Sequence, residues 1–122
     1  MSRDNIETIA EISMLFDFYG ELLPKKQREV FRLYHEDNFS LGEIGEDYGI
    51  TRQGVYDFLK RGETSLLAYE EKLGLVERFR QAEVARRKAD AAIDCLIGEN
   101  EENRPLTNRL KELKEVIRGI DL

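Results

Sequence analysis

The sequence is poor in residues that cross-link, break or metallate a chain. Its 122 residues include one cysteine, two prolines, one histidine and no tryptophan. A single cysteine, Cys95, can form no internal disulfide, which fits a reducing, cytoplasmic setting. His35 and Cys95 alone give no zinc-ligand spacing. They fall on different predicted helices, so a Cys–His nucleophile pair within hydrogen-bond reach is not expected. No glycine-rich loop follows a strand, which leaves no nucleotide cradle. No apolar run approaches the roughly 20 residues of a membrane helix. Met1 to Glu7 lack the basic-then-apolar pattern of a signal peptide. The expectation is a protein that is not an enzyme, with no cofactor, no metal and no membrane span.

What the chain does have is charge and apolar periodicity. Hydrophobic residues make up 41% and charged residues 36%. That is too apolar for disorder and long enough to bury a core. The net charge of −6 argues against a protein that holds nucleic acid by charge alone. The excess is uneven, however. Residues 1–50 carry 5 Lys and Arg against 11 Asp and Glu, whereas residues 51–122 carry 14 of each. The stretch 24–61 is neutral, with 7 of each sign. Its cations gather as Lys25, Lys26, Arg28 and Arg32, then as Arg52, Lys60 and Arg61. The acidic groups Glu70 and Glu71, and Glu99, Glu101 and Glu102, read as solvated surface.

Apolar spacings of three and four nearly everywhere predict an all-α chain. Ile9, Ile12, Phe16, Tyr19 and Leu23 form the stripe of a first helix over about 4–20, ended by Gly20. Pro24 suits the first turn of a second helix, with Val30, Phe31, Leu33 and Tyr34 as its buried face and a stop near 35–38. Ser40-Leu41-Gly42-Glu43 is a capping box that opens a short helix from 41 to about 48. Gly49 is a natural left-handed turn residue, and Thr51 caps a fourth helix. That helix either continues or bends at Gly62, and Gly74 ends this part. Beyond it, Leu75, Phe79, Ala82, Arg86, Ala89, Ile93 and Leu96 repeat as a helix seam, as do Leu106, Leu110, Leu113, Ile117 and Ile120. A polar break over 98–105 separates them. The pattern fits first an antiparallel hairpin packed on itself or on the N-terminal part, and second a self-association element; the periodicity alone does not choose. The expected domains are 1–75 and a helical extension, 76–122.

The specific motif is a helix-turn-helix between Leu41 and Lys60. Its two helices cross closely, so it needs a small residue at the approach, glycine at the turn and apolar inner faces. Gly45 is the small residue and Gly49 the turn, while Ile44, Tyr48, Ile50, Val55 and Phe58 point inward. The second helix then presents Arg52, Gln53, Tyr56, Asp57, Lys60 and Arg61. The N-terminal residues of such a helix contact bases, which assigns Arg52, Gln53 and Tyr56 to the groove. Lys60 and Arg61 are assigned to phosphates. Lys25, Lys26 and Arg28, with Arg32, are candidates for further backbone contacts. Asp57 opposes phosphate, and the alternative reading of these residues is a solvated helix face.

Several blocks in order resemble the YlxM family of small bacterial helix-turn-helix proteins: Leu15-Phe16-Asp17-Phe18-Tyr19-Gly20-Glu21-Leu22-Leu23-Pro24-Lys25-Lys26-Gln27-Arg28, Tyr34-His35-Glu36-Asp37, Ser40-Leu41-Gly42-Glu43-Ile44 and Thr51-Arg52-Gln53-Gly54-Val55-Tyr56-Asp57. The resemblance covers roughly residues 5–80. It implies a domain similar to the fourth region of bacterial sigma factors, without a wing. It also implies a regulatory link to the signal-recognition-particle pathway, because family members are typically encoded beside that particle's GTPase or its receptor. A working sigma factor is not expected, since no second region for holding RNA polymerase is present. The sequence departs from the family pattern at Gly45 and Gly54, where Ala is usual. Inside a helix Gly costs about 1 kcal/mol relative to Ala.

The leading expectation is a nucleic-acid-binding regulatory protein whose partner is DNA or signal-recognition-particle RNA. The alternative is a protein-interaction module for a partner in the targeting pathway, with a homodimer formed through the C-terminal helices.

Overall fold

The computed structural model describes residues 3–120, with side chains from Ile9 onward. Six helices follow one another: α1 (Arg3–Tyr19), α2 (Lys25–His35), α3 (Leu41–Tyr48), α4 (Arg52–Leu73), α5 (Leu75–Glu99) and α6 (Arg104–Arg118). A 3-10 turn over Gly20–Leu22 joins α1 to α2. The described residues contain no strand, so the helix-turn-helix has no wing. The chain divides into two compact units, one ending at Val76 and the other starting at Glu77.

The first unit is built around a buried cluster from α1, α2, α3 and α4. Val30, Phe31, Ile44, Val55 and Leu66 are fully buried, and Leu15, Phe16, Tyr19, Leu23 and Leu59 join them. Phe16 and Phe31 stack with ring centroids 5.0 Å apart. Gly62 lets α4 pass close to α2, because a Cβ there would meet the Phe31 ring at 3.0 Å. The helix runs straight through Gly62 rather than breaking. A buried polar knot closes the α4–α5 junction. Tyr19 Oη donates to Glu70 Oε1 at 2.5 Å and accepts from the Leu75 amide, while Glu70 also accepts from the Val76 amide. Burial first, and then the Glu70 hydrogen bond, push the Tyr19 pKa up.

Three details differ from the sequence pattern. Ile9 is 45% exposed, and Leu15, outside the predicted stripe, is buried in the core. Tyr34 is exposed, its neighbour Phe31 having filled the inner position. Glu70 is half-buried rather than solvated, because Tyr19 and the α5 amides need an acceptor.

The second unit pairs α5 with α6 in antiparallel register. Lys114 forms ion pairs with Asp90 and Asp94, Arg118 lies 3.9 Å from Asp90, and Arg86 donates to the Ile120 carbonyl. The break between the helices is shorter than 98–105: Gly98 and Glu99 stay helical, and Pro105 lies in the first turn of α6, which Asn103 caps. The α6 edge that meets α5 is polar. It carries Thr107, which is buried, with Lys114 and Arg118. Leu110 and Ile117 of the predicted stripe are half-buried beside that edge, whereas Leu106, Leu113 and Ile120 are exposed, about 120° from it at 3.6 residues per turn.

Candidate nucleic-acid interface

The helix-turn-helix is closed by caps that the sequence encodes. Ser40 Oγ accepts from the Glu43 amide at 3.1 Å, and Glu43 Oε1 accepts from the Ser40 amide at 3.2 Å. Two of the four orphan donors of α3 are thereby satisfied reciprocally. Gly49 ends α3 with φ of 66°. Ile50 then turns its amide onto the Gly45 carbonyl at 2.9 Å. A Cβ at Gly45 would lie 2.6 Å from the Ile50 carbonyl oxygen, so glycine is what lets the turn fold onto α3. Glycine at this position is thus a close-packing feature. Thr51 Oγ1 accepts from the Gly54 amide at 3.0 Å and starts α4. Gly54 is a milder case, with a Cβ meeting that same oxygen at 3.3 Å.

Val55, Leu59, Gly62 and Leu66 turn to the core, which leaves the opposite side of α4 to solvent. Arg52, Gln53, Tyr56, Asp57, Lys60 and Arg61 are all exposed. They do not form one uniform basic face. Arg52 lies at the α3 flank, its guanidinium within 3.1 Å of where a Gly42 Cβ would be. Gln53 donates to Asp57 Oδ1 at 3.0 Å. Lys60 pairs with Glu63 at 3.3 Å and sits 5.6 Å from the Tyr56 ring centroid. The hydrogen bond to Glu63 is the main cause raising the Lys60 pKa. Arg61 lies over the Phe58 ring at 5.7 Å.

The α2 cations behave differently from one another. Lys26 lies between two rings, 5.8 Å from Tyr48 and 5.7 Å from Phe58. It therefore shares Phe58 with Arg61 and joins the α4 flank. Arg28 is held by Glu21 at 3.0 Å, and Arg32 lies 3.6 Å from Glu36. Lys25 is exposed at the start of α2. The structure thus brings Lys26 and Arg61 together over half-buried aromatics, and it engages Arg28 elsewhere.

The aromatic pair Tyr48 and Phe58 is the part the motif did not announce. Both fill inner positions, yet both remain half-buried with an accessible edge. Tyr48 donates to Glu29 at 3.1 Å, and burial with that bond raises its pKa. The signal available was the wheel position of Phe58, which falls between the core side of α4 and its wet side. His35 is half-buried, its ring 4.4 Å from Phe31 and 5.1 Å from Tyr34, and burial lowers its pKa. Cys95 is an exposed residue of the second unit. Among the described residues no three of His, Cys, Asp and Glu converge as metal ligands, and no helix is long and apolar enough to cross a membrane.

Residues 6–97 match the model of a family described as "Putative helix-turn-helix protein, YlxM / p13 like". A UPF0122 protein of Thermoanaerobacter pseudethanolicus is 46% identical over 110 residues, covering 90% of this chain and 91% of that one. One from Thermoanaerobacter sp. strain X514 is 43% identical over 111 residues, covering 91% and 94%. A UPF0122 protein of Bacillus cereus is 40% identical over 116 residues, covering 95% and 99%. The caps, the turn and the exposed side of α4 are therefore those of a known lineage: the chain belongs to the UPF0122 family of YlxM/p13-like helix-turn-helix proteins.

Proposed function

We propose that this protein is a cytoplasmic nucleic-acid-binding regulator that lays the start of α4 into the major groove of duplex DNA. The observation that carries this reading is the capped start of α4. Thr51 fixes the helix at its first turn, where Arg52, Gln53 and Tyr56 are exposed, Arg52 along the α3 flank. Arg and Gln present donors that match base edges, and Tyr adds an apolar body. Lys60, Arg61, Lys26 and Lys25 supply the backbone contacts, which set register and carry no sequence information. In this reading Arg28, tied to Glu21, is a minor contributor. The resemblance to YlxM proteins adds the signal-recognition-particle pathway as the setting, with that particle's RNA as the competing nucleic acid.

One observation favours a second reading, a protein partner in that pathway. Lys60 and Arg28 are each paired with a carboxylate of the same chain, so part of the cationic surface is already neutralised, and Gln53 is tied to Asp57. Fluorescence anisotropy against duplex DNA and against the particle's RNA, at several salt concentrations, separates the readings. Binding to DNA that weakens steeply with salt supports the groove reading. Binding to the RNA alone moves the target to RNA. Silence toward both at low salt leaves the protein-partner reading.

A further inference from the structure

The hairpin of the second unit has one polar side and one apolar side. The edge joining the helices runs through Arg86, Asp90 and Asp94 on α5 and Lys114 and Arg118 on α6. A rotation of about 110–120° from that edge, in the same sense of residue number, reaches Ala89 and Leu96 on α5, while Ile93 lies nearer the edge and is buried within the hairpin. On α6 it reaches Leu106, Leu113 and Ile120. In an antiparallel pair equal rotations lead to the same side, so both helices carry apolar residues to one face. Leu96 is 44% exposed, Leu113 46% and Ile120 50%. Below the edge, Glu83, Arg87 and Asp90 line an open polar hollow.

We infer that a second copy of this chain covers this face, hairpin on hairpin, about a two-fold axis. Three observations choose that occupant. The first is charge. Residues 77–122 hold 10 Lys and Arg and 10 Asp and Glu, so the whole net of −6 lies outside the hairpin. Two hairpins therefore meet without repulsion, while a strongly acidic or basic partner finds no net field of opposite sign.

The second is size. α6, with 15 residues, is about 22 Å long, and two helices side by side are about 20 Å wide, a footprint of roughly 450 Å². Two copies then cover about 900 Å² in all, the size of a weak, concentration-dependent interface. The third is the repeat itself. Apolar residues at steps of four and three on both helices match the packing of a four-helix bundle, which is the closed structure two such hairpins make. Within one hairpin only Ile93 and Thr107 are buried among the described residues, and helices of this length are marginal without packing.

Multi-angle light scattering across the micromolar range tests the inference on the unmodified chain. The expected mass is twice 14.2 kDa. Leu113→Glu, at a position already exposed in the single chain, is expected to return it to 14.2 kDa. Val84→Glu, on the opposite side of α5, is expected to leave it doubled. A spin label on the exposed Cys95 gives a readout without any substitution: the dimer shows a dipolar coupling between copies and a monomer shows none. A mass of 14.2 kDa at every concentration, or a dimer indifferent to Leu113→Glu, overturns the inference.

Discussion

The two units of this chain are held together by different physics. The first buries Val30, Phe31, Ile44, Val55 and Leu66 completely, and it carries all the net negative charge. The second buries Ile93 and Thr107, joins its helices through Lys114, Arg118, Asp90 and Asp94, and is neutral. Apolar burial contributes roughly 25 cal/mol per Å² wherever it occurs, whereas exposed ion pairs contribute about 0–1 kcal/mol each. A scaffold that must hold the two helices of a helix-turn-helix at a fixed angle needs the first kind of cohesion. The second kind, on a face left apolar, suits an element that is completed by association.

The largest test of that contrast is Phe31→Ala. Phe31 is fully buried, stacks on Phe16 and lies against Gly62. Its loss is expected to cost about 3–5 kcal/mol, read by urea denaturation as collapse of the main transition. Ile93→Ala is expected to leave that transition in place; equal losses from the two substitutions would dissolve the distinction between the units. Gly45→Ala comes next. The Ile50 carbonyl 2.6 Å away has no flexible end to move aside, so the cost is expected at about 1–3 kcal/mol. Gly54→Ala, at 3.3 Å from a side-chain oxygen, is expected to stay within about 1 kcal/mol of the parent.

Thr51→Ala removes the cap of α4 and is expected to cost about 1 kcal/mol. Thermal melting with circular dichroism reads it.

The smallest effect is a pH dependence. Burial lowers the His35 pKa, while Glu63 pulls the other way. The folded value therefore lies below the unfolded one of about 6.5. Stability from the neutral ring is complete above the unfolded value and is lost as pH falls through the folded value. His35→Phe is expected to flatten the decline of Tm between about pH 7.5 and 5.5; an unchanged slope assigns that decline to other groups.

Much of the first unit was legible in the sequence because its signals are local. The Ser40–Glu43 box and Thr51 each start a helix and Gly49 and Gly74 each end one, all acting within one turn of the chain as read. What escaped was decided by distant neighbours. Ile9 shares the stripe of Phe16 and Tyr19 but is 45% exposed, and Leu15, outside that stripe, is buried, because the elements packed on α1 cover one and not the other. Glu70 looked like surface because its partner Tyr19 is 51 residues away. The motif put Arg52, Gln53, Tyr56 and Lys60 on the exposed side of α4. It could not reveal that Asp57 and Glu63 hold Gln53 and Lys60, or that Lys26 sits over Phe58 beside Arg61. On α6 the heptad is genuine, but a heptad records only that a face is apolar. It does not record which neighbour meets it.

The central claim is that the exposed start of α4 binds nucleic acid. The most direct measurement is the salt dependence of duplex DNA binding for the parent chain and for Arg52→Ala. The account predicts a linear fall of log affinity with log salt, and in Arg52→Ala a loss of discrimination at one base position of about 1–3 kcal/mol. Absence of binding at low salt, or an Arg52→Ala chain that matches the parent in slope, affinity and sequence preference, contradicts it.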